Sequence, residues 1–460
     1  MGADAAQPPA GGALRPNYLN AFENAAQSLG ALAPTGTLGV IVPLLIAKAG
    51  NGTWLVVTLT FFAFILILLC IREFAARQAS PGALGAYAQA GLGPAGGLIG
   101  GWAYVAGMTF GVASAAPSAA YYFDLLATQL SGVPGGPFRQ AVLVGAIVLV
   151  SLWAAYRDVK LSTELMLWLE CSAVLLTIVI VLAGLAHARI WIDRAQFRLE
   201  GVRPANIRLS FVLAFLTLAG VESSTTLGAE AKSATTTIPR VLFVSLIPVG
   251  ILYIAVTYAL VALSHRLSVA LDQADAPLDV IANSFGARWL GLASSFGVGM
   301  SYLGCTLASL TAGARVLFAM ARAGQFPAAY GAVHPVNRTP ARTTLLVAAL
   351  GLALPLGLLG GRISLSACID YLSQLAAFGY IGAYFLVCLA LPFYLRRRRA
   401  LGFWHLVLAA AALAILGIVL ILSIVPAPPP PWRYLPYLFL ASLLAGLGCS
   451  ALTRRPEATP

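Results

Sequence analysis

Twelve apolar runs, each long enough to cross a bilayer, occupy most of this 460-residue chain, and they leave it few ways to fold. A helix needs about 20 residues to span a hydrocarbon core of ~30 Å. The runs lie at approximately 25–47, 53–71, 94–127, 141–156, 163–185, 209–228, 241–263, 289–314, 343–358, 365–394, 401–425 and 434–452. With 60% hydrophobic and 10% charged residues, a soluble domain of this size has too little polar surface to cover its apolar mass. In lipid each backbone amide must find a partner inside its own segment or barrel, so runs of this length become helices. The pattern predicts an all-α polytopic membrane protein with twelve transmembrane helices.

The net charge of +12 does not mark a nucleic-acid surface, because the basic residues sit between apolar runs and form no face interleaved with aromatics. With the N-terminus inside, 17 of the 28 basic residues fall in cytoplasmic segments and 11 outside. Arg396 to Arg399, and the set Arg322, Arg338 and Arg342, carry that bias, while Arg189, Arg194, Arg198, Arg203 and Arg208 oppose it. The expectation is a multi-pass protein of the cell membrane with both termini cytoplasmic. Residues 1–22 and 454–460 read as tails, the first disordered and with no basic n-region to mark a signal peptide. The six cysteines stand singly in apolar runs without CxxC spacing, so neither a disulfide framework nor a metal site is expected.

Two runs are interrupted where a helix is most costly to break. In the first, Pro34-Thr35-Gly36-Thr37 interrupts an apolar stretch, and Pro and Gly both weaken a helix there. In the sixth, eleven apolar residues from Phe211 to Val221 rise only about 16 Å before meeting Glu222. That is roughly half of the ~30 Å core, so the chain puts a carboxylate near mid-membrane, where a charge costs several kcal/mol. Interrupted spans five helices apart point to inverted repeats around a midplane site. A short turn ending in glycine before the third and eighth runs, 89–94 and 283–287, repeats at the corresponding place. The resulting organisation is a ten-helix core over 23–399, with repeats at about 23–187 and 207–399, and two further helices within 400–453.

A broken helix bares amide donors at one half and carbonyls at the other. The amides of Thr35, Gly36 and Thr37 are therefore candidates for a substrate carboxylate. The carbonyls of Leu218, Ala219 and Gly220 are candidates for an amino group, with Glu222 beside them. Such chemistry suits a zwitterion. Glu170, the other acid inside an apolar run, is a candidate proton or cation site with Glu222, and Thr306 and Ser309 supply hydroxyls for the same role. Phe215 and Tyr302 are candidate aromatic gates. No cofactor is implied beyond a coupling ion, H⁺ or Na⁺.

Three stretches then resemble a known family. Ala214 to Ser223, Leu227-Gly228-Ala229-Glu230-Ala231-Lys232 and Ile238-Pro239-Arg240 form the first. Ala314 to Gly324, with Phe326-Pro327, His334-Pro335 and Arg338-Thr339-Pro340, forms the second, and Ala377 to Tyr384 with Tyr394 to Arg398 the third. Together they resemble the amino acid–polyamine–organocation superfamily, amino acid permeases of the LeuT-type fold. The resemblance implies a secondary transporter of amino acids or related amines, and a substrate- or proton-sensing role for Glu222. Two departures stand out. Helix one carries Pro34-Thr35-Gly36-Thr37 where many members have a small-residue triplet, and Glu170 lies near where proton-linked members place a lysine. The alternatives are a polyamine or organic-cation transporter of the same fold, an intramembrane enzyme, or a non-transporting sensor. The four histidines share no motif that would serve an enzyme.

Overall fold

The computed structural model describes residues 14–157, 159–267, 271, 274, 276–425 and 428–453. Those parts of the two expected tails at 1–13 and 454–460 lie outside the described residues. Fifteen α-helices follow in order: α1 (Ala21–Leu32), α2 (Pro34–Ala49), α3 (Thr53–Ala75), α4 (Ala83–Ser131), α5 (Pro137–Arg157), α6 (Val159–Ala188), α7 (Arg194–Phe197), α8 (Pro204–Phe215), α9 (Ala234–Leu267), α10 (Pro277–Ser284), α11 (Arg288–Arg322), α12 (Ala341–Gly360), α13 (Leu365–Arg397), α14 (Phe403–Ile424) and α15 (Leu435–Thr453). Among the described residues the extended pairing is one parallel bridge, Leu19 to Ala231. The chain is a multi-pass helical membrane protein. Among the described residues ten stretches are long and apolar enough to span, one of them, Ala21–Ala75, holding α1, α2 and α3, and α8 is a shorter apolar helix.

Both expected interruptions are present. The first is a single residue, Ala33, at φ +43°, in the left-handed region that costs a non-glycine residue about 1 kcal/mol. Pro34 follows as the first residue of α2, where its missing N–H is no loss. The second is far longer. Helix α8 stops at Phe215, and turns lead to Gly220 at φ +97°. A 3₁₀ segment, Val221–Leu227, follows, and regular helix resumes only at Ala234.

Helix α4 starts ten residues or so earlier than its apolar run, because Ala83 to Leu92 form helix before a joint at Gly93, φ +81°. A matching joint at Gly286, φ +79°, separates α10 from α11. The buried long helix α4 lies at the centre, flanked by α11 and α13. Its small residues allow this: an added Cβ at Gly107 would meet the backbone of α13 at 3.2 Å.

One end of the expected disordered tail is ordered instead. Leu19 is fully buried, and the amides of Tyr18 and Leu19 donate to the Glu230 carbonyl at 2.8 and 2.9 Å. Lys232 N–H returns a bond to Leu19 O at 2.7 Å. Asn20 then caps α1: its Oδ1 accepts from Phe22 N–H, and Glu23 Oε2 accepts from Asn20 N–H at 2.7 Å. The first nineteen residues thus end in a backbone strap laid across the second interruption.

Candidate functional site

Between the two interruptions lies a central cavity of about 90 Å³. Its walls come from five places: Ala33 and Thr37 at the first break, Leu216 and Ala219 at the second, and α4, α11 and α13. Helix α4 contributes Gly111, Ser114, Ala115 and Ser118, one face at helical spacing. Tyr302, Cys305 and Ser309 come from α11, and Ser373 and Tyr380 from α13. No lining residue carries a formal charge; the polar groups are hydroxyls and one thiol. Cys305 Sγ donates to Ala31 O at 3.4 Å, at the end of α1.

The cavity continues away from the N-terminal strap into a vestibule of about 820 Å³, and the two share Val40, Ile41, Leu216, Ile369 and Ser373. Lys48 and Asp370 line the vestibule, and Asp370 accepts from Trp432 Nε1 at 2.7 Å. The opposite side is sealed. There Arg315, 2% exposed, grips Glu230 in two bonds, Nε to Oε2 at 2.6 Å and Nη2 to Oε1 at 3.2 Å. The strap at Leu19 covers the same segment.

The expected carboxylate-binding amides are already taken. Thr35 N–H donates to Glu170 Oε1 at 2.9 Å, Gly36 N–H to Ser301 Oγ at 3.1 Å, and Thr37 N–H to Ala33 O at 2.8 Å. The positive end of α2 is thus satisfied inside the protein by its own carboxylate and a hydroxyl. Of the three residues, Thr37 lines the cavity, its hydroxyl bonded to Leu32 O. Gly36 lies under the Tyr302 ring, where an added Cβ would be 2.9 Å from the ring edge. Tyr302 therefore stands between the cavity and the α2 terminus.

At the second break, Ala219 faces the cavity, while Leu218, Gly220 and Glu222 are not among its lining residues. Glu222 is fully buried behind the wall. Tyr384 donates to Glu222 Oε2, and the same hydroxyl accepts from Gly220 N–H at 3.2 Å. Among the described residues Glu222 Oε1 makes no close hydrogen bond, with the Tyr104 hydroxyl as its further neighbour. Phe215 does not line the cavity: its ring packs on Phe64 at 4.8 Å and Tyr384 at 6.1 Å. Thr306 turns its hydroxyl back to Tyr302 O at 2.9 Å and does not line the cavity, whereas Ser309 does. Glu170 is buried at the α2 terminus and lies outside the lining. Among the described residues there is no group of three or more His, Cys, Asp or Glu placed to hold a metal.

Two broken spans meeting at an uncharged cavity is the arrangement in which membrane carriers place their substrate sites. The family model for amino acid permeases matches residues 19–446. The chain belongs to that amino acid permease family. This permease is 28% identical over 333 residues to an uncharacterized transporter of Mycobacterium tuberculosis, covering 71% of this chain and 70% of the relative. It is 23% identical over 385 residues to the branched-chain amino acid permease BcaP of Bacillus subtilis, covering 81% and 79%. The crystal structure of MhsT in complex with L-phenylalanine superposes with a TM-score of 0.62 over 89% of this permease and 99% of that chain, at 14% identity. That likeness shows the LeuT-type fold. The permease is thus a transporter of small molecules in a membrane.

Sequence reasoning missed the hydroxyl face of α4, Tyr380 and Tyr384 of α13, and the Arg315–Glu230 pair. The α4 face was visible as small residues at 111, 114, 115 and 118, three and four apart. Nothing local links Tyr384 to Glu222, 162 positions away.

Proposed function

We propose that this permease is a secondary active transporter of neutral amino acids, working by alternating access across the cell membrane with both termini cytoplasmic and a proton as the coupling ion. The observation that carries the reading is the central cavity: both interruptions reach it, and none of its lining residues is charged. A zwitterion, whose charges cancel, fits such a site. A polyamine would need acidic partners, and the lining offers none.

Glu170 is the coupling group in this reading. Ionised, it holds the Thr35 amide at the positive end of α2. A substrate carboxylate drawn to the same helix end meets a like charge there, and two carboxylates at one site cannot both ionise cheaply. A proton on Glu170 relieves that conflict. Tyr302, lying over Gly36, is the side chain that has to swing for the substrate to reach the terminus. Glu222, with Tyr384, holds the geometry of the second break at Gly220.

The test is purified protein in liposomes, with uptake of a labelled panel of neutral, cationic and acidic amino acids and putrescine under imposed pH or Na⁺ gradients. Neutral amino acids accumulating with an inward proton gradient is the expected result. Accumulation driven by Na⁺ alone, or putrescine preferred over every amino acid, sinks the reading. Glu170→Gln should abolish accumulation while leaving substrate exchange intact; accumulation that survives in that variant removes Glu170 from coupling.

A further inference from the structure

On the N-terminal side, α5 and α12 form an outward-facing groove of about 420 Å³ that the transport cycle described above does not use. Leu149, Leu152, Trp153 and Tyr156 supply one wall, spaced three, one and three residues apart along a single face of α5. Ala341, Arg342 and Leu345 of α12 supply the other. Most of the apolar surface of these two helices is left uncovered by protein. Leu149, Trp153 and Leu345 are each more than half exposed. From Leu149 to Tyr156 the trough rises about 10 Å, room along its floor for the upper part of an acyl chain.

One end of this apolar trough is cationic. Arg342 lines it, held in place by Nη1 donating to Ala329 O at 2.8 Å. The Arg157 guanidinium lies 5.0 Å from the Trp153 ring centroid. The mouth is also stiff, because Tyr156 packs edge-on against His334 and its carbonyl accepts from Thr339 Oγ1 at 3.0 Å. Among the seven lining residues none is acidic. Guanidinium groups meet phosphate oxygens in directed, charge-assisted bonds, and Trp and Tyr belong at headgroup depth.

We propose that this groove is a binding site for an anionic phospholipid, with the headgroup phosphate on Arg342 and Arg157 and an acyl chain against Leu149, Leu152 and Leu345. A choline or ethanolamine lipid would bring its own cation against the two arginines, so the site selects a net negative headgroup. The proposal stands apart from the transport reading, and neither depends on the other.

The test uses the full chain in nanodiscs containing brominated phosphatidylglycerol or brominated phosphatidylcholine at equal mole fraction, with Trp153 fluorescence obtained by difference from Trp153→Phe. Brominated phosphatidylglycerol should quench the Trp153 signal more strongly than brominated phosphatidylcholine. That excess should need about fivefold more anionic lipid in Arg342→Ala or Arg157→Ala. Arg342→Lys, which keeps the charge, should retain most of it and controls for misfolding. Equal quenching by both lipids overturns the proposal, since the groove is then ordinary lipid contact. Relief of the excess by millimolar inorganic phosphate overturns it in favour of a free-anion site. Shielding from both lipids, with Leu345→Cys cross-linking two copies, overturns it in favour of a dimer contact.

Discussion

The two interruptions look alike in sequence and are held in different ways. The first is one residue wide, and its partners lie close at hand in space: Ala33 turns the chain, Pro34 restarts the helix, and Glu170 with Ser301 closes the new terminus. The second spreads from Leu216 to Ser233 and is tied down at several separate points. Tyr384 ties Gly220 to Glu222, Arg315 grips Glu230, and Leu19 is strapped to Glu230 and Lys232. A narrow break can act as a pivot whose ends stay capped. In the proposed transport cycle, the wide break, held by separate contacts, is the part that rearranges.

Breaking the bolt should have the largest effect. Arg315→Ala leaves Glu230 buried and unpaired, a loss of about 3–5 kcal/mol. The expected outcome is a marked fall in the thermal midpoint in detergent, largely recovered in the Arg315→Met, Glu230→Met double variant. If the single variant is as stable as the parent, the wide break is not held from that side. At the narrow break, Gly36→Ala places a methyl group 2.9 Å from the Tyr302 ring. Overpacking of that kind costs about 1–3 kcal/mol, and it should weaken substrate affinity because the added methyl crowds the α2 terminus that the substrate approaches. Equilibrium binding and thermal melts of the one variant read both.

Glu222→Gln sharpens the comparison further. The amide can still accept from Tyr384, so expression should hold while uptake falls by about tenfold, the equivalent of ~1.4 kcal/mol in the transport barrier. Unchanged uptake from pH 5 to 8 would leave Glu222 with no part in transport. The smallest effect expected is at the start of α1, where Asn20→Ala removes a cap worth about 1 kcal/mol. Loss confined to the thermal midpoint, with transport kept, would mark the cap as structural.

Much of the fold was legible because lipid makes hydropathy decisive. Runs of apolar residues, punctuated by Pro, Gly and Arg, located the spans, although α9 starts seven residues before its run and α11 ends eight residues after its own, and Pro34 with Gly36 put the first break beside Ala33. Helix α4 was the main misplacement: residues 83–92 are helical but interrupted by small residues, so they did not extend the run. Side-chain direction was the harder matter. Phe215 lies at the break, yet nothing in its neighbourhood says that it turns to Phe64 and not to the cavity. Likewise the amides of Thr35 and Gly36 were correctly placed at a helix terminus, while their partners sit 135 and 265 positions further along. Chemistry that depends on two spans meeting is written in neither span alone.

Cys305 carries a practical consequence. Its thiol is the one sulfhydryl among the cavity's lining residues, the other cysteines lying elsewhere. The permease therefore contains a resident reporter. In a Cys171→Ser background, which removes the exposed thiol, a bound solute should protect Cys305 from a small methanethiosulfonate arriving through the vestibule, so that protection follows occupancy without a radiolabel.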